Sequence, residues 1–229
     1  MEFLIISLLS IILIFVLFAI FGVNMKKLKE MTNIKELDKI SDKYPSNIKI
    51  CKEYLKKLKN EEVKIEENEG SDATVYIAIT NKILIGNLRN SYTRVQTIAH
   101  ECLHSIQNRK ILLFNFIFSN IYLIYFFAVL IIAIFGKLPN QMACITTLAI
   151  LGIVYLIIRM YLENDAMIKA RYLAKEYMEE KEISTKEEIE KMIQQYDIVN
   201  DLGIKCVHYQ LALNVLAKIA ILSLVCFWR

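Results

Sequence analysis

Hydrophobic and polar positions along this chain fall into blocks. Residues 3–25, FLIISLLSIILIFVLFAIFGVNM, carry no charge, and neither do residues 111–136, ILLFNFIFSNIYLIYFFAVLIIAIFG. Leu138–Ile158 is a third uncharged run. A helix of about 20 apolar residues crosses a bilayer, so each of the three is long enough to span one. Leu211–Trp228 is a fourth apolar segment, interrupted by Lys218, and reads as a span or a tilted half-span.

Between these blocks the pattern turns amphipathic. Ile48, Cys51, Tyr54, Leu55 and Leu58 recur at helical spacing after a Ser/Asn start beyond Pro45. DATVYIAIT (72–80) and NKILIGN (81–87) are rich in β-branched residues, with Asn81 at their junction. They predict two strands joined by a tight turn. From Ser91 to Arg109 a helical period returns, with Val95, Ile98, Ala99, Cys102, Leu103 and Ile106 on one face. The third apolar run is expected to continue as helix into RMYLENDAMIKARYLAKEYMEE (159–180). A further helix begins at STKEEIEKMI, where Ser184 and Glu187 have capping-box spacing.

Composition sharpens this picture. A chain that is 55% hydrophobic, with only 6 Gly and 2 Pro, is too apolar for an ordinary soluble domain. The first run lacks a basic leader and a small-residue cleavage site, so it reads as an uncleaved anchor. Lys26, Lys27 and Lys29 follow it, Arg109 and Lys110 precede the second run, Arg159 follows the third and Lys205 precedes the fourth. Lys137 is the one basic residue between the second and third runs. The positive-inside bias then puts the polar segments in the cytoplasm and the N-terminus outside. The net charge of +4 reads as membrane topology. No basic-aromatic motif accompanies it, so a lipid bilayer is the expected partner and nucleic acid is not. The five cysteines show no C-x-x-C spacing and read as reduced packing residues.

Candidate chemistry is concentrated in IAHECLHSIQ, residues 98–107. With three histidines in 229 residues, a chance H-E-x-x-H is rare. On a helix His100 and His104 lie about 40° apart and one turn along, so both imidazoles reach one ion. Glu101 is rotated by about 100°, beside the ion, where it can take a proton from water. A catalytic zinc site needs a third protein ligand and an open position. His208, Asp165 and Glu163 are the candidates. His104 lies seven residues before the second run, and Glu163 five after the third. An antiparallel hairpin of those runs returns both to one membrane surface, which favours Glu163.

TIAHECLHSIQ, a hydrophobic hairpin and then LENDAMIKA together resemble the YugP-type neutral zinc metallopeptidases of bacterial membranes. The pattern there is similar to A-H-E-x-G-H-x-I-Q followed by E-F-D-A-x-x-x-A. Ala99, His100, Glu101, His104, Ile106 and Gln107 match the first part; Glu163, Asp165, Ala166 and Ala170 match the second. CVHYQLALNVLAKIAIL is similar to that family's last hydrophobic segment, so the resemblance covers about residues 72–228. Leu103 stands where the family has Gly. Related membrane peptidases carry an Asp four residues after the glutamate ligand, where this chain has Met167, so support for the ligands must come from another group.

The expected fold class is mainly α, integral membrane, with three or four transmembrane helices plus a cytoplasmic helical zincin-like domain with a small β-hairpin. Its segments are an anchor (1–25), a cytoplasmic segment with the hairpin and the H-E-x-x-H helix (26–110) and a transmembrane hairpin (111–160). Cytoplasmic helices bearing the third ligand (161–205) and a C-terminal hydrophobic helix (206–229) complete it. The expected function is a zinc-dependent endopeptidase. One Zn2+ per chain is held by His100, His104 and Glu163, with Glu101 as general base, and the substrate is a membrane-associated polypeptide. Tyr161, His208 and Tyr209 are weak candidates for stabilising the oxyanion. ATVYIAIT is a candidate edge strand for an extended substrate, or an ordinary core strand. The alternative is a membrane scaffold that keeps a structural zinc. A transporter is disfavoured, because only Lys218 puts a charge within a span.

Overall fold

In a computed structural model the described residues are 1–32, 34–68, 70–71, 73–88 and 91–229. The start of the expected strand at Asp72 lies outside them. The chain is mainly α with a small sheet. Four of its helices are long and apolar enough to cross a membrane: α1 (Glu2–Phe21), α6 (Arg109–Ile134), α7 (Gln141–Lys181) and α8 (Lys186–Trp228). Shorter helices are α2 (Met25–Met31), α3 (Lys35–Ser41), α4 (Asn47–Lys57) and α5 (Arg94–Ile106). The chain divides into two compact units.

The first unit comprises residues 1–23, 114–161 and 205–229. Its core is Tyr122, Phe126, Val129 and Ala133 of α6, Ile145 and Leu148 of α7, and Leu222 and Cys226 of α8, with Phe3 and Ile6 of α1 against it. Ser7 Oγ donates to the Ala220 carbonyl at 3.1 Å, tying α1 to α8. Gly152 lets α7 approach closely. A Cβ there would lie 2.6 Å from Val215 Cγ1 and 3.1 Å from the Tyr122 hydroxyl.

The second unit comprises residues 24–113 and 162–204. Its core joins Ile50, Cys51, Tyr54 and Leu55 of α4 to Val95, Ile98, Ala99 and Cys102 of α5. Ala166, Ala170 and Ala174 of α7 and Ile189, Met192 and Tyr196 of α8 complete it. Spacing of four keeps the three alanines on one face of α7, and all are fully buried.

The expected hairpin is one part of a three-stranded sheet. β2 (Val75–Ile77) pairs antiparallel with β3 (Lys82–Gly86), and Tyr76 stands opposite Ile83. Asn81 takes a positive φ of 49° in the turn, as that residue type tolerates. β2 is shorter than the β-branched run predicts, because Ala78–Thr80 belong to the turn. The unforeseen strand is β1 (Lys64–Asn68), parallel to β3. Its sequence, KIEEN, is charged because it is an edge with mostly exposed side chains.

Three helix boundaries also differ from expectation. The capping box of α8 is Thr185/Glu188 and not Ser184/Glu187. Thr185 N–H donates to Glu188 Oε2 at 3.0 Å and Glu188 N–H to Thr185 Oγ1 at 3.2 Å. α5 ends at Ile106, since Gln107 is extended, and α6 restarts at Arg109. α8 is one helix of 43 residues, running through the start of the fourth apolar segment without a break.

Candidate metal centre

Both ends of α5 are held by polar contacts, which fixes where its histidines point. At the N-terminal end the buried Arg94 uses all five of its N–H donors. Nε donates to Ser41 Oγ (2.9 Å), Nη1 to the Pro45 carbonyl (2.7 Å) and Asn47 Oδ1 (2.9 Å), and Nη2 to the carbonyls of Ser41 (2.6 Å) and Tyr44 (2.9 Å). At the C-terminal end Asn60 Nδ2 donates to the carbonyl and the hydroxyl of Ser105, both at 3.0 Å. Sequence reasoning gave Arg94 no role. Its position four residues before Ile98, a charge on an apolar helix face, is the signal that marks it.

The structure brings together His100, His104 and Glu163. The two Nε2 atoms are 3.0 Å apart, and Glu163 Oε2 lies 3.6 Å from each. A tetrahedral ion with bonds of about 2.0–2.2 Å separates its ligand atoms by about 3.3–3.6 Å. The two edges to Glu163 have that length and the edge between the histidines is shorter, so the three donors converge as a group that could hold one metal ion. The side chains are between 12% and 18% exposed, so the site is shielded from solvent but not sealed.

A relay behind His104 sets its tautomer. Gln107 Nε2 donates to the Leu162 carbonyl at 2.8 Å and to Asp165 Oδ2 at 3.0 Å. A backbone carbonyl accepts only, so this end of the Gln107 amide must be its nitrogen. The amide oxygen then faces His104 Nδ1 at 2.8 Å, and Nδ1 must carry the proton. In that tautomer the Nε2 lone pair faces His100 Nε2 at 3.0 Å and Glu163, as a metal ligand requires. Asp165 thus holds Gln107 and lies outside the His100–His104–Glu163 group.

Glu101 lies beside the triangle. Its Oε1 is 3.8 Å from His100 Nε2, and its Oε2 accepts from the Tyr76 backbone N–H of β2 at 2.7 Å. Burial raises the Glu101 pKa, against the opposing pull of both histidines and the Tyr76 N–H. Burial alone would lower the His104 pKa, but the neighbouring Glu163 and Glu101 carboxylates outweigh that and raise it. The Tyr76 contact has no sequence signal, since any residue supplies a backbone N–H.

The remaining predicted residues lie elsewhere. His208 rests its ring on Phe21, and Tyr209 packs on Phe18, in the unit of long helices. Tyr161 is 60% exposed on α7. Cys51 and Cys102 are buried thiols with sulfurs 3.6 Å apart, and burial pushes Cys102 well above the usual thiol range. That fits packing residues. Compared with known protein families, curated proteins and solved structures, the chain matches none.

Proposed function

We propose that the protein is a membrane-embedded zinc endopeptidase that cuts polypeptide segments close to the bilayer. The observation carrying this reading is the His100–His104–Glu163 triangle with Glu101 beside it. Two imidazoles and one carboxylate form the donor set of a catalytic zinc with an open position. The resemblance of AHECLHSIQ and LENDA to the YugP-type metallopeptidases points the same way.

In this reading His100, His104 and Glu163 hold the ion. Zinc supplies a Lewis acid that polarises the scissile carbonyl and acidifies water. Glu101 takes a proton from the attacking water and returns it to the leaving amine. Burial suits it to both steps, because a raised pKa makes the carboxylate a better base and its acid a competent donor. The Tyr76 N–H holds the carboxylate in place through Oε2 and leaves Oε1 for proton transfer. β2 is an edge strand and offers an extended substrate a backbone to pair with. Lysine and arginine at the ends of the spans support a cytoplasmic position for this machinery. His104 precedes α6 by five residues, so substrates are cut near their own anchors.

The test uses purified full-length protein in liposomes, with Glu101→Gln beside the unaltered chain. The expected result is about one zinc in each and a fall of about 10²–10⁴-fold in cleavage for the variant. Equal cleavage by both would overturn Glu101 as general base. No cleavage by either, with zinc retained, would favour the scaffold. One peptide sequence offered free or beside a transmembrane anchor tests the proximity claim, which equal rates would overturn.

A further inference from the structure

Lys218 puts an ammonium group in the middle of the long-helix unit. Its Nζ lies 4.3 Å from the Tyr122 ring centroid and 5.8 Å from that of Phe126, both on α6. Tyr122 is 13 residues after the start of α6 and 12 before its end. At about 1.5 Å per residue that is roughly 18–20 Å from either end. The hydrocarbon half-thickness is about 15 Å, so the ammonium sits near mid-bilayer depth if α6 spans. A four-carbon stem directed onto a mid-span ring does not also carry its head to the headgroups.

The ammonium is held by the Asn214 side chain, whose Oδ1 accepts at 2.7 Å, and by the two aromatic faces. It is only partly covered. Asn214 and Ile221, four residues before it and three after, are exposed, whereas Val215 and Leu222, three before and four after, are buried, so Lys218 borders the outward stripe of α8. A charge at this depth is retained where something pairs with it. The unit itself cannot supply a carboxylate, because Glu2, at the start of α1, is its one acidic residue. A second copy of this chain would bring another lysine and no mid-span acid, so like charges would meet.

We infer that the outward stripe of α8 around Lys218 and Asn214 is a docking surface for a transmembrane helix of a different protein that carries an Asp or Glu at mid-span. The carboxylate completes the coordination of the ammonium, and Asn214 supplies a second interhelical hydrogen bond. This surface is independent of the metal centre and of the peptidase reading.

The test is association of the full chain with synthetic oligoleucine spanning peptides in phosphatidylcholine vesicles. The peptides carry Glu, Gln, Leu or Lys at the central position. Energy transfer from Trp228, the one tryptophan, to a dansyl group on the peptide reports binding. The Glu peptide should bind about tenfold more tightly than the Leu peptide, and the Lys peptide most weakly. Lys218→Met should remove the Glu preference, and Lys218→Glu should move it to the Lys peptide. Equal binding of the Glu and Leu peptides to the unaltered protein would overturn the inference without recourse to any variant. So would a Glu preference that survives Lys218→Met. Self-association of labelled copies that Lys218→Met abolishes would make the occupant a second copy and would also overturn it.

Discussion

The two units solve the same problem, burying helices against one another, by opposite means. The long-helix unit carries the whole net charge of the chain, with Lys137, Arg159, Lys205, Lys218 and Arg229 against Glu2 alone. Its cohesion is mainly close packing: Gly152 under Val215 and Tyr122, Ala133 and Leu222 fully buried, with the Ser7–Ala220 and Tyr125–Cys144 hydrogen bonds beside it. Lipid tails are as apolar as leucine, so helices there gain from close fit and not from escaping water. The second unit has no net charge and ties its elements with satisfied polar networks at buried positions. Arg94 fastens α5 to the segment between α3 and α4. Gln96 donates to Asn200, whose amide reaches the Met167 carbonyl, linking α5, α8 and α7. The His100–His104–Glu163 group, which could hold a metal ion, belongs to this second kind of structure, where hydrogen bonds set side-chain geometry.

That contrast can be broken in four ways. Arg94→Met should have the largest effect. It strands five acceptors and is expected to cost about 3–5 kcal/mol. Hydrogen exchange should show the second unit losing protection while α1 and α6 keep theirs; equal loss in both would deny that the networks are local. Gly152→Ala is the mirror experiment, at about 1–3 kcal/mol for overpacking. Unfolding in micelles should show it weakening the first unit, and Val215→Ala should relieve it.

Gln107→Leu should leave both units folded but lower zinc affinity about 10–100-fold, measured by competition with a chelator. An unchanged affinity would remove the relay from His104. The smallest effect is expected from acid. Burial works to raise the Glu53 pKa, but Lys181 and Tyr177 outweigh it and hold the carboxyl below the usual range. Lys43 and the Thr185 N–H hold Glu188 below it too. A lowered folded pKa gives stability that is present above the unfolded value, about 4.3, and is lost as pH falls through the folded value. Each contributes less than about 1 kcal/mol. Between pH 6 and 3 proteolysis should reach the second unit first, because the first has only Glu2 to protonate.

Particular residues tell how far the sequence could be read. His100 and His104 were legible because helical spacing is local. Glu163 was legible because an apolar hairpin has one geometry, which returns its ends to the same level. The Thr185 cap was missed by one residue, since Ser184 and Thr185 each have an acid three residues on and only packing chooses between them. β1 was missed because a charged edge strand has no apolar alternation to display.

The sequence by itself determined the three uncharged apolar runs that lie in α1, α6 and α7, the amphipathic α4 and α5, and the pair of histidines one turn apart. These depend on hydrophobic runs and on a period of 3.6, which chain neighbours enforce. The tertiary structure alone decided that Gln107 and Asp165 set the tautomer of His104. It also decided that a β2 backbone N–H holds Glu101, that Arg94 is buried with every donor used, and that Lys218 rests on Tyr122. Each of these joins groups at least 25 residues apart, except Gln107 to His104, and depends on where a polar atom finds its partner once the chain is packed. Hydrophobicity patterns specify which side of an element is buried, but not which polar atoms meet there.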